Sequence, residues 1–319
     1  VHKPTIAQYA ASALLRRLQG RAPHTFHVRK GAVTPVRIVK TDPARTVSLP
    51  QPRLFRSQRY EVVKPLGEGG SSRVYLARDT FLQTEVALKL LPSSVLRDSE
   101  ALQRLRNEAA IVMQLSHENI VKLHNLEIEA GRAFMVMEYV DGPSLRDLLF
   151  DHGALPLSTV LAISEACARA LSYAHAHGVI HKDLKPENLM ITSAARLKLV
   201  DFGTAIRLTD VTPESAGRYV EGTPSYMSPE QMYGFPLNTR TDIYSLGLVL
   251  YELLSGKSMF PHESTLAEVL RARAHPMNDI PPEIAEVLTT ATQPDAEQRW
   301  QTVREFARAL AAAADRIQD

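Results

Sequence analysis

With a single cysteine in 319 residues, this chain can close no internal disulfide and build no cysteine metal cage. That points to a reducing, cytoplasmic setting. Cys167 lies in SEACARALSYAHAHG, a helical stretch, and reads as a small apolar core residue. Long apolar runs are missing as well: no window approaches the about 18 residues that a membrane-spanning helix needs. Acidic side chains are nearly absent from residues 1–59, which hold 12 Lys+Arg and one acid, Asp42. The whole chain has 37 Lys+Arg and 35 Asp+Glu, so residues 60–319 carry 25 against 34. A basic arm of formal charge +11 therefore precedes a body of −9. Such an arm suits nucleic acid, an anionic membrane or the acidic body itself, and equally a solvated leader. Internal repeats and low-complexity tracts are lacking, while 45% apolar content is ample for a packed core of one large or two small domains.

The arm has some pattern. PTIAQYAASALLRRLQG starts at Pro4, spaces Ile6, Tyr9, Ala10, Ala13, Leu14 and Leu18 for one helical face, and stops at Gly20. Rich in arginine and poor in acids, it resembles a mitochondrial transit segment slightly. The chain begins with Val1 rather than methionine, so a start further upstream is expected. HVRKGAVTPVRIVK carries a weak hairpin signal, and TDPARTVSLPQPRLF, with three prolines, reads as a linker.

From Tyr60 the texture changes. YEVVKPLG, RVYLARD, EVALKLL, IVKLHNLEIE and AFMVMEYV are short β-rich runs, interrupted by a helical stretch, Ser99–Leu115, with Leu102, Leu105, Ala109 and Val112 on one face. Beyond Gly142 helical periodicity dominates, at Ser158–His177, Thr239–Ser255, Thr265–Ala274, Pro282–Thr290 and Thr302–Ile317. Strands first and helices after imply a two-lobed α+β chain rather than alternating βαβ units.

Four places carry chemistry. LGEGGSSRVYLA sets Gly67 and Gly69 between two strands, where backbone N–H groups can approach phosphate oxygens. A dinucleotide fold would need a helix next, and RVYLARD reads as a strand. VALKLL buries Lys89 in an apolar strand, which is costly unless it is paired. Glu108, on the apolar-striped helix, is the expected partner, and a snorkelling surface lysine is the alternative. HKDLKPENLMI concentrates Asp183, Lys185 and Asn188, and LKLVDFGTA ends an apolar strand with Asp201 beside a glycine, a place suited to a hard cation. A hairpin-like turn at TSAAR would bring Asn188 and Asp201 to one edge.

Taken in order, Gly67-x-Gly69-x-x-Ser72-x-Val74, VALK, Glu108, HKDLKPEN, DFG, SPE and DIYSLGLVLYELL resemble the eukaryotic-type (Hanks-type) protein kinase family over about Tyr60–Leu310. The resemblance implies a β-rich lobe with one helix at 60–140, ending in the hinge, and a helical lobe at 141–319, with ATP and Mg²⁺ (or Mn²⁺) between them. It implies that Asp183 accepts the substrate hydroxyl's hydrogen, that Lys185 steadies the γ-phosphate, and that Thr223 bridges the two. Asn188 and Asp201 would hold the metal, and Lys89 with Glu108 would position the α/β-phosphates. Leu66, Gly67 and Gly69 would cover the phosphates, and Val74, Ala87 and Met190 would sandwich the adenine. Met137 would be the gatekeeper, with the Glu138 carbonyl and Val140 amide facing the base. Leu123, Val112, Phe202 and His181 match the family's apolar stack; Glu230 with Arg299, and Asp242, match its structural anchors.

LKPEN and GTPSYMSPEQ resemble serine/threonine rather than tyrosine kinases, and bacterial members in particular. Two positions depart from the family. Ser72 replaces the third loop glycine, which implies altered ATP affinity rather than its loss. Lys182 replaces an arginine whose planar fork clamps a loop phosphate; lysine offers only a point charge, so activity is expected to depend weakly on loop phosphorylation. Thr209, Thr212 and Ser215 are candidate self-phosphorylation sites, and Arg45-x-x-Ser48 is a basic-directed acceptor pattern through which the arm could dock in cis as a brake or guide. The expected activity is phosphate transfer to serine and threonine of protein substrates, the chain itself included. A nucleotide-binding signalling scaffold (a pseudokinase) and a small-molecule phosphotransferase are the alternatives, and nucleic-acid binding by the arm is compatible with all three.

Overall fold

The computed structural model describes residues 59–69, 72–129, 131–202, 206–207, 223–260, 268–269 and 277–318. Residues 1–58 of the arm with its expected helix, hairpin, linker and Ser48, the acceptors Thr209, Thr212 and Ser215, and all but 268–269 of the expected Thr265–Ala274 helix lie outside the described residues.

Five antiparallel strands form the first layer: β1 (Tyr60–Gly69), β2 (Ser72–Asp79), β3 (Thr84–Leu90), β4 (Leu123–Glu129) and β5 (Arg132–Glu138), in the order β1-β2-β3-β5-β4. Pro65, which has no N–H for a ladder, is tolerated because β1 is an edge strand and shifts register between Pro65 and Gly67. One face of the sheet buries Tyr75, Leu88, Phe134 and Val136. Helix α1 (Ser99–Met113), capped by the Asp98 carboxylate on the Glu100 and Ala101 amides, packs by β4 and buries Leu105, Ala109 and Val112.

The second layer is helical: α2 (Leu145–His152), α3 (Leu157–Ala176), α4 (Pro229–Tyr233), α5 (Arg240–Ser255), α6 (Pro282–Ala291) and α7 (Val303–Gln318), with the short strands β6 (Val179–Ile180), β7 (Leu189–Ile191), β8 (Leu197–Leu199) and β9 (Ile206–Arg207). The four longer helices expected from periodicity and described here begin and end within one residue of their expected bounds. The two shorter ones were not signalled by periodicity; each starts at a serine capping box, Ser144 with Asp147 and Ser228 with Gln231. Helix α5 is buried on nearly every side, so it is the post around which this lobe packs. The core runs on from α5 and α3 through Leu184, Leu199 and Phe202 to Leu123 and Val112, joining the two layers. Cys167 is fully buried in α3 and its thiol is pushed up to about 12, which leaves it an inert packing residue. Among the described residues, no helix is long and apolar enough to cross a membrane.

Candidate active site

The loop between β6 and β7 carries His181, Lys182 and Asp183. Lys182 has φ +71, a backbone conformation that side chains with a Cβ disfavour, and it is buried. Helices hold it in place from both ends. The Asp242 carboxylate of α5 accepts the His181 and Lys182 amides at 2.9 Å each, and Gln231 of α4 donates to the Lys182 carbonyl at 2.8 Å. Asp242 also pairs with His175 Nε2 of α3 at 2.8 Å. Burial alone would raise the Asp242 pKa, but His175 and the His181 amide hold it below the usual carboxylate range. His181 Nδ1 accepts the Asp183 amide at 3.3 Å while Nε2 faces the Val200 carbonyl at 3.1 Å, which places the proton on Nε2.

Around Asp183 the polar groups close into a ring. Asn188 Nδ2 donates to the Asp183 carbonyl at 2.7 Å and to its Oδ2 at 3.1 Å, and Lys185 Nζ lies 2.8 Å from that same Oδ2. The Thr223 amide and hydroxyl donate to Oδ1 at 3.1 and 3.2 Å, and Lys185 donates to the Thr223 hydroxyl at 2.8 Å. A carboxylate gripped on both oxygens keeps one orientation, the geometry that a positioned proton acceptor needs.

The β7–β8 hairpin closes at TSAAR, where the Thr192 amide donates to the Arg196 carbonyl at 2.9 Å and Ala195 adopts φ +60. The Val200 amide bonds the Asn188 carbonyl at 2.9 Å, so Asp201 follows directly onto the edge that Asn188 occupies. Asp201 has φ +61, and its Oδ1 lies 2.5 Å from Lys89 Nζ on β3. Thus Lys89 pairs with Asp201; Glu108 is on α1, but its side chain lies outside the described residues. Asn188 and Asp201 offer oxygen donors, which suit Mg²⁺ or Mn²⁺ better than a soft metal. Among the described residues no group of three His, Cys, Asp or Glu could hold a metal; Mg²⁺ typically takes one or two carboxylates together with phosphate oxygens and water.

The roof and floor of the cleft come from different layers. Val74 faces Lys89 across β2–β3, Ala87 faces Met137 across β3–β5, and Gly67 and Gly69 pair with Val74 and Ser72 across the β1–β2 hairpin. Leu66 is 40% exposed at the rim. Between the layers, the Glu138 amide bonds the Lys122 carbonyl at 2.8 Å, and its carboxylate takes Lys198 at 2.7 Å, which stiffens the connection to the buried Val140. Behind Met137 a small apolar cavity is bordered by Val112, Leu123 and Phe202, and the Phe202 and His181 rings meet edge to face at 4.5 Å.

The segment leaving Val140 is strapped to β7, the strand bearing Met190. The Ile191 amide donates to the Pro143 carbonyl at 2.9 Å, Asp141 accepts from the Ser193 amide and hydroxyl, and Ser144 bridges Met190. Gly142 permits this approach: a Cβ there would stand 1.8 Å from the Ile191 carbonyl oxygen. Gly142→Ala must push the strap off β7, and a weakened nucleotide affinity with a melting temperature lowered by several degrees is expected, at an overpacking cost of roughly 1–3 kcal/mol. Nucleotide titration and thermal unfolding check this; unchanged values for both would show that the strap is not rigid.

Sequence reasoning passed over His175, Gln231, Arg146 and Gly142. None of the four carries a local signal, since each acts through a partner distant in sequence.

Comparison with known proteins follows the same lines. Residues 60–312 match the protein kinase domain model. The chain is 38% identical over 264 residues to the serine/threonine-protein kinase PknB of Mycobacterium leprae, covering 78% of this chain and 42% of that protein. It is 34% identical over 259 residues to the serine/threonine-protein kinase PrkC of Bacillus subtilis, covering 78% and 40%. The match thus spans about two fifths of those relatives' own lengths. Among solved structures, the PknI kinase domain of Mycobacterium tuberculosis superposes with a TM-score of 0.66 at 28% identity, covering 81% of this chain and 98% of that one.

Proposed function

Because this chain belongs to the protein kinase family, we propose that it transfers the γ-phosphoryl group of ATP to serine and threonine hydroxyls of protein substrates, including its own. The observation that carries this is the closed ring of Asp183, Lys185, Asn188 and Thr223. In the transfer, the acceptor oxygen forms a bond to the γ-phosphorus, the bond from that phosphorus to the bridging oxygen breaks, and ADP leaves. Asp183, its carboxylate held by Thr223 and Asn188, orients the hydroxyl and accepts its proton. Lys185, anchored on Thr223, sets a positive charge beside the moving phosphoryl group. Lys89 serves the α/β-phosphates, with Glu108 as the partner that the family pattern assigns to it. Asn188 and Asp201 would hold Mg²⁺, which neutralises phosphate charge when bound; Mn²⁺ fits the same oxygen donors. Adenine would lie between Val74 and Ala87 above and Met190 below, its edge facing the Glu138 carbonyl and Val140 amide beside Met137, with Leu66, Gly67 and Gly69 over the phosphates.

This reading makes residues 60–140 and 141–319 the two lobes and 1–59 an accessory arm, whose +11 charge suits docking on the −9 body in cis. The single buried thiol suits the cytoplasm. Lys182, unable to clamp a phosphate as a planar fork does, makes activity weakly dependent on loop phosphorylation.

The test is label transfer from ATP with Mg²⁺, comparing the intact chain with Asp183→Asn. An amide cannot accept the proton, so the rate is expected to fall by about 10²–10⁴-fold with ATP binding retained. Labelled serine or threonine at undiminished rate in Asp183→Asn would overturn the assignment.

A further inference from the structure

The short hairpin of β7 and β8 buries one face and leaves one residue of each strand on the other. Leu189, Ile191, Leu197 and Leu199 are buried, whereas Met190 and Lys198 are only half-buried and stand opposite each other in the antiparallel register. Directly opposed residues project on the same side of a sheet, so the residue assigned to the adenine floor and this lysine share a face.

Lys198 is aimed at the hinge. Its Nζ lies 2.7 Å from Glu138 Oε1 and 2.9 Å from Oε2, and the Lys122 amide donates to that Oε2 at 3.1 Å. The Lys198 side chain is 12% exposed and that of Glu138 31%, so water competes with the pair only in part. The strand beneath the lysine is itself fixed: the Val121 amide donates to the Leu199 carbonyl at 2.9 Å, and the Leu199 amide to the Asn119 carbonyl at 2.8 Å. Glu138 ends β5, so the ion pair ties the last residue of a first-layer strand to a hairpin of the second layer.

We propose that Lys198 is a positioning residue for the nucleotide base: by holding the Glu138 carboxylate it fixes the Glu138 carbonyl and Val140 amide relative to Met190, and so sets both adenine affinity and the rejection of guanine. The inference rests on the kinase reading above, through its adenine site alone. Adenine offers an amino group to the Glu138 carbonyl, whereas guanine offers an oxygen at the same place. A carbonyl that cannot turn away then meets a second acceptor with no proton between them, which is how a polar site rejects the wrong analogue. Released from its tether, the carbonyl can turn, and the penalty against guanine falls.

The experiment measures ATP and GTP affinities by titration, and KM and kcat for label transfer from ATP with Mg²⁺, in the intact chain, Lys198→Met and Lys198→Arg. Methionine keeps most of the apolar stem and removes the charge. ATP affinity is expected to fall about three- to tenfold in Lys198→Met, the ratio that one net hydrogen bond converts to. KM should rise in step, with kcat within about twofold of the intact chain, because binding rather than the transfer step is affected. The preference for ATP over GTP should narrow by about threefold or more. Lys198→Arg, whose fork can still meet both carboxylate oxygens, should restore both readouts. A folded Lys198→Met with an unmoved ATP:GTP ratio overturns the inference, even where its melting temperature drops, since that marks a merely structural role. A fall in kcat at unchanged ATP affinity overturns it as well. If Lys198→Met does not fold, Glu138→Gln decides by the same affinities, since it removes the charge and leaves the carbonyl in the chain; an unmoved ratio there overturns the inference. Absence of label transfer from the intact chain to itself or any protein overturns the kinase reading, and this inference survives that result if Lys198→Met still narrows the ATP:GTP binding ratio. Transfer by the intact chain with nucleotide affinities unaltered in Lys198→Met overturns this inference alone.

Discussion

Asp242→Ala is expected to leave little stably folded protein, with melting lowered by roughly 10 °C or more. Asp242 is fully buried and accepts from the His181 amide, the Lys182 amide and His175. Alanine leaves two buried amides without an acceptor, at roughly 1–3 kcal/mol each. Relaxation of Lys182 from its φ of +71 would recover at most roughly 1–2 kcal/mol of this. These losses are a large share of the about 5–15 kcal/mol that holds a typical domain folded. Thermal unfolding and soluble yield check the expectation; a variant melting within two or three degrees of the intact chain, a margin of about 1 kcal/mol, would show that the loop is held elsewhere. Asp242→Asn keeps one acceptor oxygen but turns an N–H₂ towards a donor, so it should fall between the two.

Arg299→Met carries the second large effect. Arg299 is buried and binds Glu230 through two parallel hydrogen bonds of 2.7 and 2.8 Å, while also donating to the carbonyls of Gln293, Arg240 and Pro294 and lying over the Tyr244 ring. Removing one partner of a buried pair costs about 3–5 kcal/mol, because the other charge stays behind with only neutral donors, the Thr241 hydroxyl and its own backbone amide, to satisfy it. Adding Glu230→Gln should recover part of that loss, and a double variant no better than Arg299→Met would argue against an ion pair as the cause. The pair also sets an acid limit. Burial alone would raise the Glu230 pKa, but Arg299 holds it below its ordinary value, as His175 does for Asp242. A depressed folded-state pKa gives stability that is complete above the unfolded value of about 4 and is lost as pH falls through the folded one. Acid unfolding of the intact chain should therefore set in below about pH 4; in Arg299→Met, where burial is left to raise the Glu230 pKa, the destabilisation relative to the intact chain should shrink as pH falls, which equilibrium unfolding against pH would show.

Much of the fold was legible because its signals are local. Helices α3, α5, α6 and α7 announce themselves by apolar spacing over ten or more residues, whereas α4, five residues long, is too short to show a period. The site was legible in its composition: Asp183, Lys185 and Asn188 occur within six residues, and their mutual hydrogen bonds follow from that turn. Lys89 was harder. An isolated lysine in an apolar strand calls for a partner, but nothing within the strand says which, and the structure pairs it with Asp201, 112 positions away.

By itself, then, the sequence determined which groups are on offer, which stretches become strands or helices, and where a glycine or serine must end or cap them. Those depend on contacts within a turn or two of chain. Tertiary structure alone decided which charge meets which: Lys89 with Asp201, His175 with Asp242, Arg146 with Glu252 across 106 positions. A long charged side chain can reach many partners, and the one it takes is set by which helices pack together and exclude water around it, a property of the assembled core that no short segment encodes.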